Sequence, residues 1–209
     1  HGLAVLIHGK HRTLSYDLGS GDVDPNRLFE RSFMPYLGKR HWPLPQQFVR
    51  SHSDIDHINA LPFLLQRATV EEIEVAPLQK RRLHGYEPFQ IDVIGCRPSR
   101  NDVSNDSGHV LDIQTDNFRA VLLGDQAGYS LRQLRLQLAP GPIDILLVPH
   151  HGLTTDGLAE LLQHLQPRLA WTSSGPRNYP LPVAPLLDYF GVPLVSTLDH
   201  GLEWIYTSD

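Results

Sequence analysis

A single cysteine, Cys96, stands among 209 residues. No disulfide can form within the chain, and neither a disulfide-stapled scaffold nor a zinc ribbon is available to it. Long apolar runs are missing too. Stretches such as Ile143 to Pro149 fall far short of the roughly 18 residues a membrane span needs, and no signal peptide is visible. Basic charge is scarce: 18 Lys and Arg face 23 Asp and Glu, a net -5, which argues against the basic face of a duplex-DNA clamp. With 41% hydrophobic and 20% charged residues, the composition is that of a folded chain rather than a disordered one. A domain of this length buries roughly 70% of its unfolded surface and needs no covalent staples. There is no internal repeat and no low-complexity linker. The chain opens on His1 and runs straight into the apolar segment Leu3 to Ile7, so it is expected to be a piece of a longer protein.

Histidine is plentiful, with 12 residues, which directs attention to metal ligands. The background is an alternation of short strands and helices. Leu3 to Ile7 and Arg12 to Tyr16 read as strands around a His-Gly-Lys turn. Asp24-Pro25 starts a helix that runs to about Leu37, with Phe29, Phe33 and Leu37 on one face. Gln47 to Arg50, Val70 to Val75 and Phe89 to Gly95 read as strands, and Ile58 to Gln66 as a helix, with Lys80-Arg81-Arg82 in a polar loop. His109 to Thr115 and Phe118 to Leu123 form a hairpin over Asp116-Asn117. Leu131 to Leu138 is a helix, Ile143 to Val148 a buried strand, and Leu158, Leu161, Leu162 and Leu165 fit the helical template. Leu169 to Ser173, a helix at Val183 to Phe190, Leu194 to Thr197 and Leu202 to Tyr206 complete the pattern. The order predicts an α/β fold of sheets covered by helices.

Ligand-type residues gather at three points. Ser51-His52-Ser53-Asp54-Ile55-Asp56-His57 holds four potential ligands in six residues between a strand and a helix. Its spacing offers alternate residues to one point and the adjacent pair to another, so it can serve two metal centres. Imidazole with carboxylate suits Zn or Mn. Gly124-Asp125 follows the apolar strand Ala120 to Leu123, and His150-His151-Gly152 follows Ile143 to Val148. Taken singly, an Asp after a strand is ordinarily a cap and a His pair ordinarily lies on the surface. Three apolar runs each ending in such residues is the pattern of an active site at strand ends.

His52-x-Asp54-x-Asp56-His57, Gly124-Asp125 and Pro149-His150-His151-Gly152 resemble the motifs of the metallo-β-lactamase superfamily. More narrowly, the chain resembles the C-terminal domain of the ComEC family of DNA-internalisation competence proteins. His1 to Ile7, Tyr16-Asp17-Leu18-Gly19, Met34 to Leu37 and Asn105 to Leu111 resemble segments of that family in the same order. Departures are Asn59-Ala60 in place of Gly-Gly, Gly108 in place of Ser, Leu153 in place of Ser, and Leu181 where a histidine is usual. The resemblance implies one metallo-β-lactamase αββα sandwich over residues 1–209, with two mixed sheets flanked by helices. It also implies two divalent ions, Zn or Mn: His52 and Asp54 on the first, Asp56 and His57 on the second, Asp125 bridging, and His151 as the last ligand. His150 is then a supporting group or proton donor, and Asp56 and His150 are the residues assigned to catalysis. Asn105 occupies a position where relatives place a further histidine, which weakens the first site and tilts it toward Mn.

The activity implied is phosphodiester hydrolysis by a two-metal-activated water. The expected substrate is the non-transported single strand of DNA at an uptake channel. The expected partners are the membrane channel portion of the same parent chain and other competence proteins. The parent is expected in the bacterial inner membrane, with this domain on the periplasmic side. Lys80, Arg81 and Arg82, or Arg97 and Arg100, could contact DNA, with Trp171, Tyr179 or Tyr189 as stacking platforms. Two other classes stay open: a metallohydrolase of a small ester, lactone or thioester, and a non-catalytic DNA-guiding module.

Overall fold

A computed structural model describes residues 2–97, 108–176 and 179–200. In it the strands sort into two sheets. β1 (Val5–His8) and β2 (Thr13–Tyr16) form an antiparallel hairpin, and β3 (Gln47–Val49) and β4 (Glu71–Glu72) add to it in parallel, in the order β1-β2-β3-β4. The second sheet takes β5 (Lys80–Leu83), β6 (Gln90–Gly95), β7 (His109–Gln114), β8 (Arg119–Leu122), β9 (Ile143–Leu147), β10 (Pro167–Thr172) and β11 (Leu194–Ser196). Its order is β11-β10-β9-β8-β7-β6-β5, antiparallel from β5 to β8 and parallel from β8 to β11.

Successive strand residues point to opposite faces, and here both faces are covered. Tyr16 and Val49 of the first sheet meet Val93, Leu111, Ile113, Leu122 and Leu147 of the second in an inner core. The opposite face of the second sheet, with Ile94, Val110, Val121 and Leu146, packs under α5 (Gly128–Gln137), α6 (Leu158–Leu165) and α7 (Ala184–Tyr189). The outer face of the first sheet, with Phe48, packs under α1 (Pro25–Leu28), a π turn Phe29–Phe33, α2 (Met34–Arg40) and α4 (Leu61–Leu65). Helix, sheet, sheet, helix is the four-layer αββα architecture expected from the motifs.

Asp24 caps α1 as its position predicts, accepting from the Asn26 and Arg27 amides. Phe29, Phe33 and Leu37 are all buried. The π turn just before Pro35 has a physical reason. Proline has no N–H to donate and its ring crowds the carbonyl four residues back, so the helix widens there.

Three expectations are corrected. The helix placed at Ile58 to Gln66 is two short helices, α3 (Ile55–Ile58) and α4. Ala60 N–H turns away to Leu18 O, and Pro62 has no N–H with which to continue α3. The strand placed at Val70 to Val75 is shorter, because Val75 N–H leaves the first sheet and donates to His109 Nε2. Lys80-Arg81-Arg82 is not a loop but lies in edge strand β5, paired with β6. The strand placed at Leu202 to Tyr206 lies outside the described residues. Thr197–His200 before it forms a short helix, α8.

Candidate metal centre

Five segments converge at one end of the sandwich. β2 delivers Asp17, β3 leads into Ser51-His52, α3 carries Asp56 and His57, β8 leads into Gly124-Asp125, and β9 leads into His150-His151. Two glycines make the approach possible. A Cβ on Gly108 would fall 1.1 Å from Ser51 O, and one on Gly124, at φ +58°, 2.4 Å from Ser51 Cβ. The departure from serine to Gly108 is therefore required here by the close passage of the Ser51 backbone. Asp17, His150 and His151 also hold positive φ, 55°, 51° and 52°. For non-glycine residues such backbone is sparsely populated and tends to cluster at functional sites.

The side chains form two overlapping groups, His52 with His57 and Asp125, and Asp56 with His57 and His151; within each, one ligand atom per residue lies within 4.8 Å of the others. Asp125 Oδ1 is 3.3 Å from His57 Nε2, and its Oδ2 is 3.8 Å from His52 Nε2 and 3.9 Å from His151 Nε2. The two carboxylate oxygens thus face different histidines. Asp56 Oδ2 is 3.1 Å from His151 Nε2. Asp54 lies 3.5 Å from His52 Nε2 but is half exposed and belongs to neither group. His150 Nδ1 is 3.9 Å from Asp125 Oδ2, beside the groups rather than within them. Asn105 and Arg100 lie outside the described residues.

Hydrogen bonds turn the ring nitrogens. His151 Nδ1–H donates to Ser173 O at 2.7 Å, and His57 Nδ1–H donates to Asp17 Oδ2 at 2.7 Å. Each ring therefore presents Nε2 to the centre, and the two Nε2 atoms stand 3.2 Å apart. Asp17 also accepts from Ser51 N at 2.7 Å and Ser51 Oγ at 2.6 Å. Sequence reading missed Asp17 as a site residue, although it follows a buried strand just as Asp125 does. It also missed His109, which donates to Arg50 O and accepts from Val75 N, clamping the loop that carries His52.

The electrostatics follow from this packing. Burial alone would lower the pKa of His57, but hydrogen bonds to Asp125 and Asp17 push it up to about 10. Burial would raise Asp125, yet the hydrogen bond and charge of His57, with His151 and His150, hold it far below the ordinary carboxylate range. Burial, helped by the charge of His57, lowers His52. The hydrogen bond from His151 lowers Asp56.

The donor set fits divalent cations. His52 Nε2 is fully buried with no hydrogen-bond partner, a costly state for a polar atom. Two imidazole nitrogens face each other across His57 and His151 amid carboxylates. Cations would satisfy all of these at once.

The family departures have local explanations. Asn59 accepts from Ser20 N and exchanges hydrogen bonds with Ser20 Oγ, tying α3 to the loop after β2. Leu181 is buried in the core beneath α7, against Gly152. The basic residues proposed for DNA are neutralised: Lys80 and Arg82 bond Asp92, and Arg81 bonds Glu71. Trp171 packs at the inner core, whereas Tyr179 and Tyr189 are exposed.

No protein-family model matches the chain. Its fold matches YhfI from Bacillus subtilis, a metallo-β-lactamase fold protein, with a TM-score of 0.60 at 12% identity over 93% of this chain and 88% of that one. It also matches Tm1679, described as a metal-dependent hydrolase of the β-lactamase superfamily, with a TM-score of 0.59 at 14% identity over 95% and 93%. The chain is a metallo-β-lactamase-fold domain. In sequence it is 28% identical over 194 residues to Recombination protein 2 of Haemophilus influenzae, covering 85% of this chain. It spans 23% of that relative's length. Among the described residues no helix is long and apolar enough to cross a membrane.

Proposed function

We propose that residues 1–209 form one metal-dependent hydrolase domain, a phosphodiesterase acting on single-stranded DNA. The observation that carries this reading is the buried, unpartnered His52 Nε2 facing Asp125, in a centre where Asp125 also faces His57 and His151. Two divalent ions, Zn or Mn, would be held by His52 with the adjoining Asp54 on one side and by Asp56, His57 and His151 on the other, with Asp125 offering an oxygen to each side; the one free nitrogen of His57, Nε2, can serve only one of them. Such ions supply an activated water near neutral pH and stabilise charge on a phosphoryl oxygen. The chain's own contribution is orientation: Asp17 and Ser173 O hold two imidazoles with Nε2 inward. His150, half-buried beside Asp125, is placed to hold a proton for the departing oxygen.

The DNA substrate rests on the similarity to Recombination protein 2 and on the ComEC motifs. By the same reasoning the domain belongs to a larger inner-membrane competence protein, works on its periplasmic side, and receives a strand from the channel portion. The test is metal analysis of protein purified without chelator, paired with digestion of labelled single- and double-stranded DNA in Mn, Zn or chelator. Metal-dependent cleavage that favours the single strand supports the reading. Hydrolysis of a lactone or thioester without DNA cleavage replaces it with the small-ester enzyme. Binding of DNA without metal or cleavage replaces it with the guiding module.

A further inference from the structure

The metal centre is acidic, and Arg50, two residues before His52, is occupied by Glu72 and Glu74. With Lys80, Arg81 and Arg82 paired as well, a polyanionic substrate must find its cationic surface elsewhere. The described residues offer such a surface at the other end of β2. The β1–β2 turn carries Lys10, His11 and Arg12, all exposed. The end of α2 carries Lys39 and Arg40 beside it. A row of rings joins β1 to the end of α2: His8 stacks on Trp42 at 4.5 Å, Trp42 meets Tyr36 edge-on at 5.7 Å, and the Arg40 guanidinium lies over Tyr36 at 5.7 Å, while the Arg12 side chain at the turn passes beside Gly85. All three rings are half-buried, so the row is rigid and partly open to solvent.

We infer that this basic, aromatic surface binds the single-stranded nucleic acid on which the metal centre acts. The inference rests on the phosphodiesterase reading for the identity of the strand. Cations interleaved with aromatic rings suit an unpaired strand, which presents both phosphates and base faces, whereas a duplex hides its bases. The distance also suits it. Five residues of β-strand separate Arg12 from Asp17, roughly 16 Å at the rise of a strand, a span that a few nucleotides of extended strand bridge. The surface would hold the strand while its continuation reaches the centre along the first sheet.

The experiment measures fluorescence anisotropy of a labelled thymidine 20-mer with the chain in chelator, so that binding is read without cleavage. The variant Lys10→Glu/Arg12→Glu/Lys39→Glu alters only exposed side chains. Arg132→Glu/Arg135→Glu, on the exposed side of α5, is the control. The expected result is at least a tenfold weaker affinity for the triple variant, a smaller salt dependence by about 2 in log–log slope, and a control within twofold of wild type. Cleavage with Mn is read separately. Wild-type oligonucleotide binding that the triple variant loses, with no cleavage under any metal, upholds this surface and sinks the phosphodiesterase reading. Cleavage at sub-saturating oligonucleotide that the triple variant leaves unchanged does the reverse. Absence of binding by wild type at low salt, or binding only to vesicles containing anionic phospholipid, overturns the inference.

Discussion

Asp17 Oδ2 lies 2.7 Å from His57 Nδ1, and both side chains are fully buried. The contact decides which nitrogen of His57 faces Asp125 and His151. A carboxylate behind a ligand histidine orients the ring and raises its basicity, and loss of such a partner typically costs 10–100-fold in metal affinity or activity. Asp17→Asn keeps a residue that tolerates the left-handed backbone at this position. It is expected to retain the fold, by circular dichroism, and to bind metal about 10–100-fold more weakly by calorimetric titration. Unchanged affinity would show that Asp17 serves only the Ser51 backbone.

Asp125 offers one oxygen toward His57 and the other toward His52 and His151. It sits after a strand end, outside the apolar clusters. Asp125→Ala is therefore expected to abolish metal binding and activity while thermal unfolding stays cooperative. Retention of the wild-type hydrolysis rate would show that Asp125 is not the bridge.

The neighbouring histidines separate by position. His151 belongs to a candidate ligand group, and His150 stands beside it. His151→Ala should lose metal, whereas His150→Ala should keep most of it and lose turnover. Activity alone will fall in both, so occupancy by mass spectrometry decides. The reverse pattern would exchange their roles.

Proton and metal compete for His57. Its pKa in the metal-free fold is about 10, above the ordinary 6.5. A raised histidine contributes stability that is fully present below the unfolded value and is lost as pH rises through the folded one. Metal-free protein should therefore lose stability between about pH 6.5 and 10, measured by urea titration. Metal affinity should rise over the same window, because the proton must leave before the cation binds. Affinity that is flat with pH would mean that His57 is not a ligand.

The sandwich was legible because its strands are short, apolar and punctuated, and because three of them end in ligand-type residues. Asp54, Asp56 and His57 could be read from spacing alone, but spacing could not tell that Asp54 stays half exposed beside His52 or that His57 Nε2 faces both Asp125 and His151. Asp17 was hidden because a single carboxylate after a strand looks like any turn residue. It becomes a site residue only when His57, forty positions later, folds onto it. Lys80 to Arg82 misled for a related reason. Three consecutive cations suggest a solvated loop, yet their carboxylate partners Asp92 and Glu71 lie on other strands. Edge strands commonly carry such charges, which discourage pairing with other chains.

Leu181 stands where the resemblance to the competence family leads one to expect a histidine, and the structure shows what the leucine does there. Its side chain is buried among core residues, within reach of Gly152 and Thr172, immediately behind the His150-His151 turn. Thr172 Oγ1 there is buried without a hydrogen-bond partner. An imidazole at this place would bring a second set of polar atoms into an apolar setting, and an unsatisfied buried polar group costs about 1–3 kcal/mol. Restoring the histidine is therefore not expected to restore a ligand. Leu181→His should unfold at lower urea, with stability reduced by about 2 kcal/mol or more, and its metal content should stay at the wild-type level. Leu181→Met, which keeps volume and apolarity, should cost less than about 1.5 kcal/mol. A histidine variant that gains metal at unchanged stability would mean that the side chain swings out of the core and into the centre.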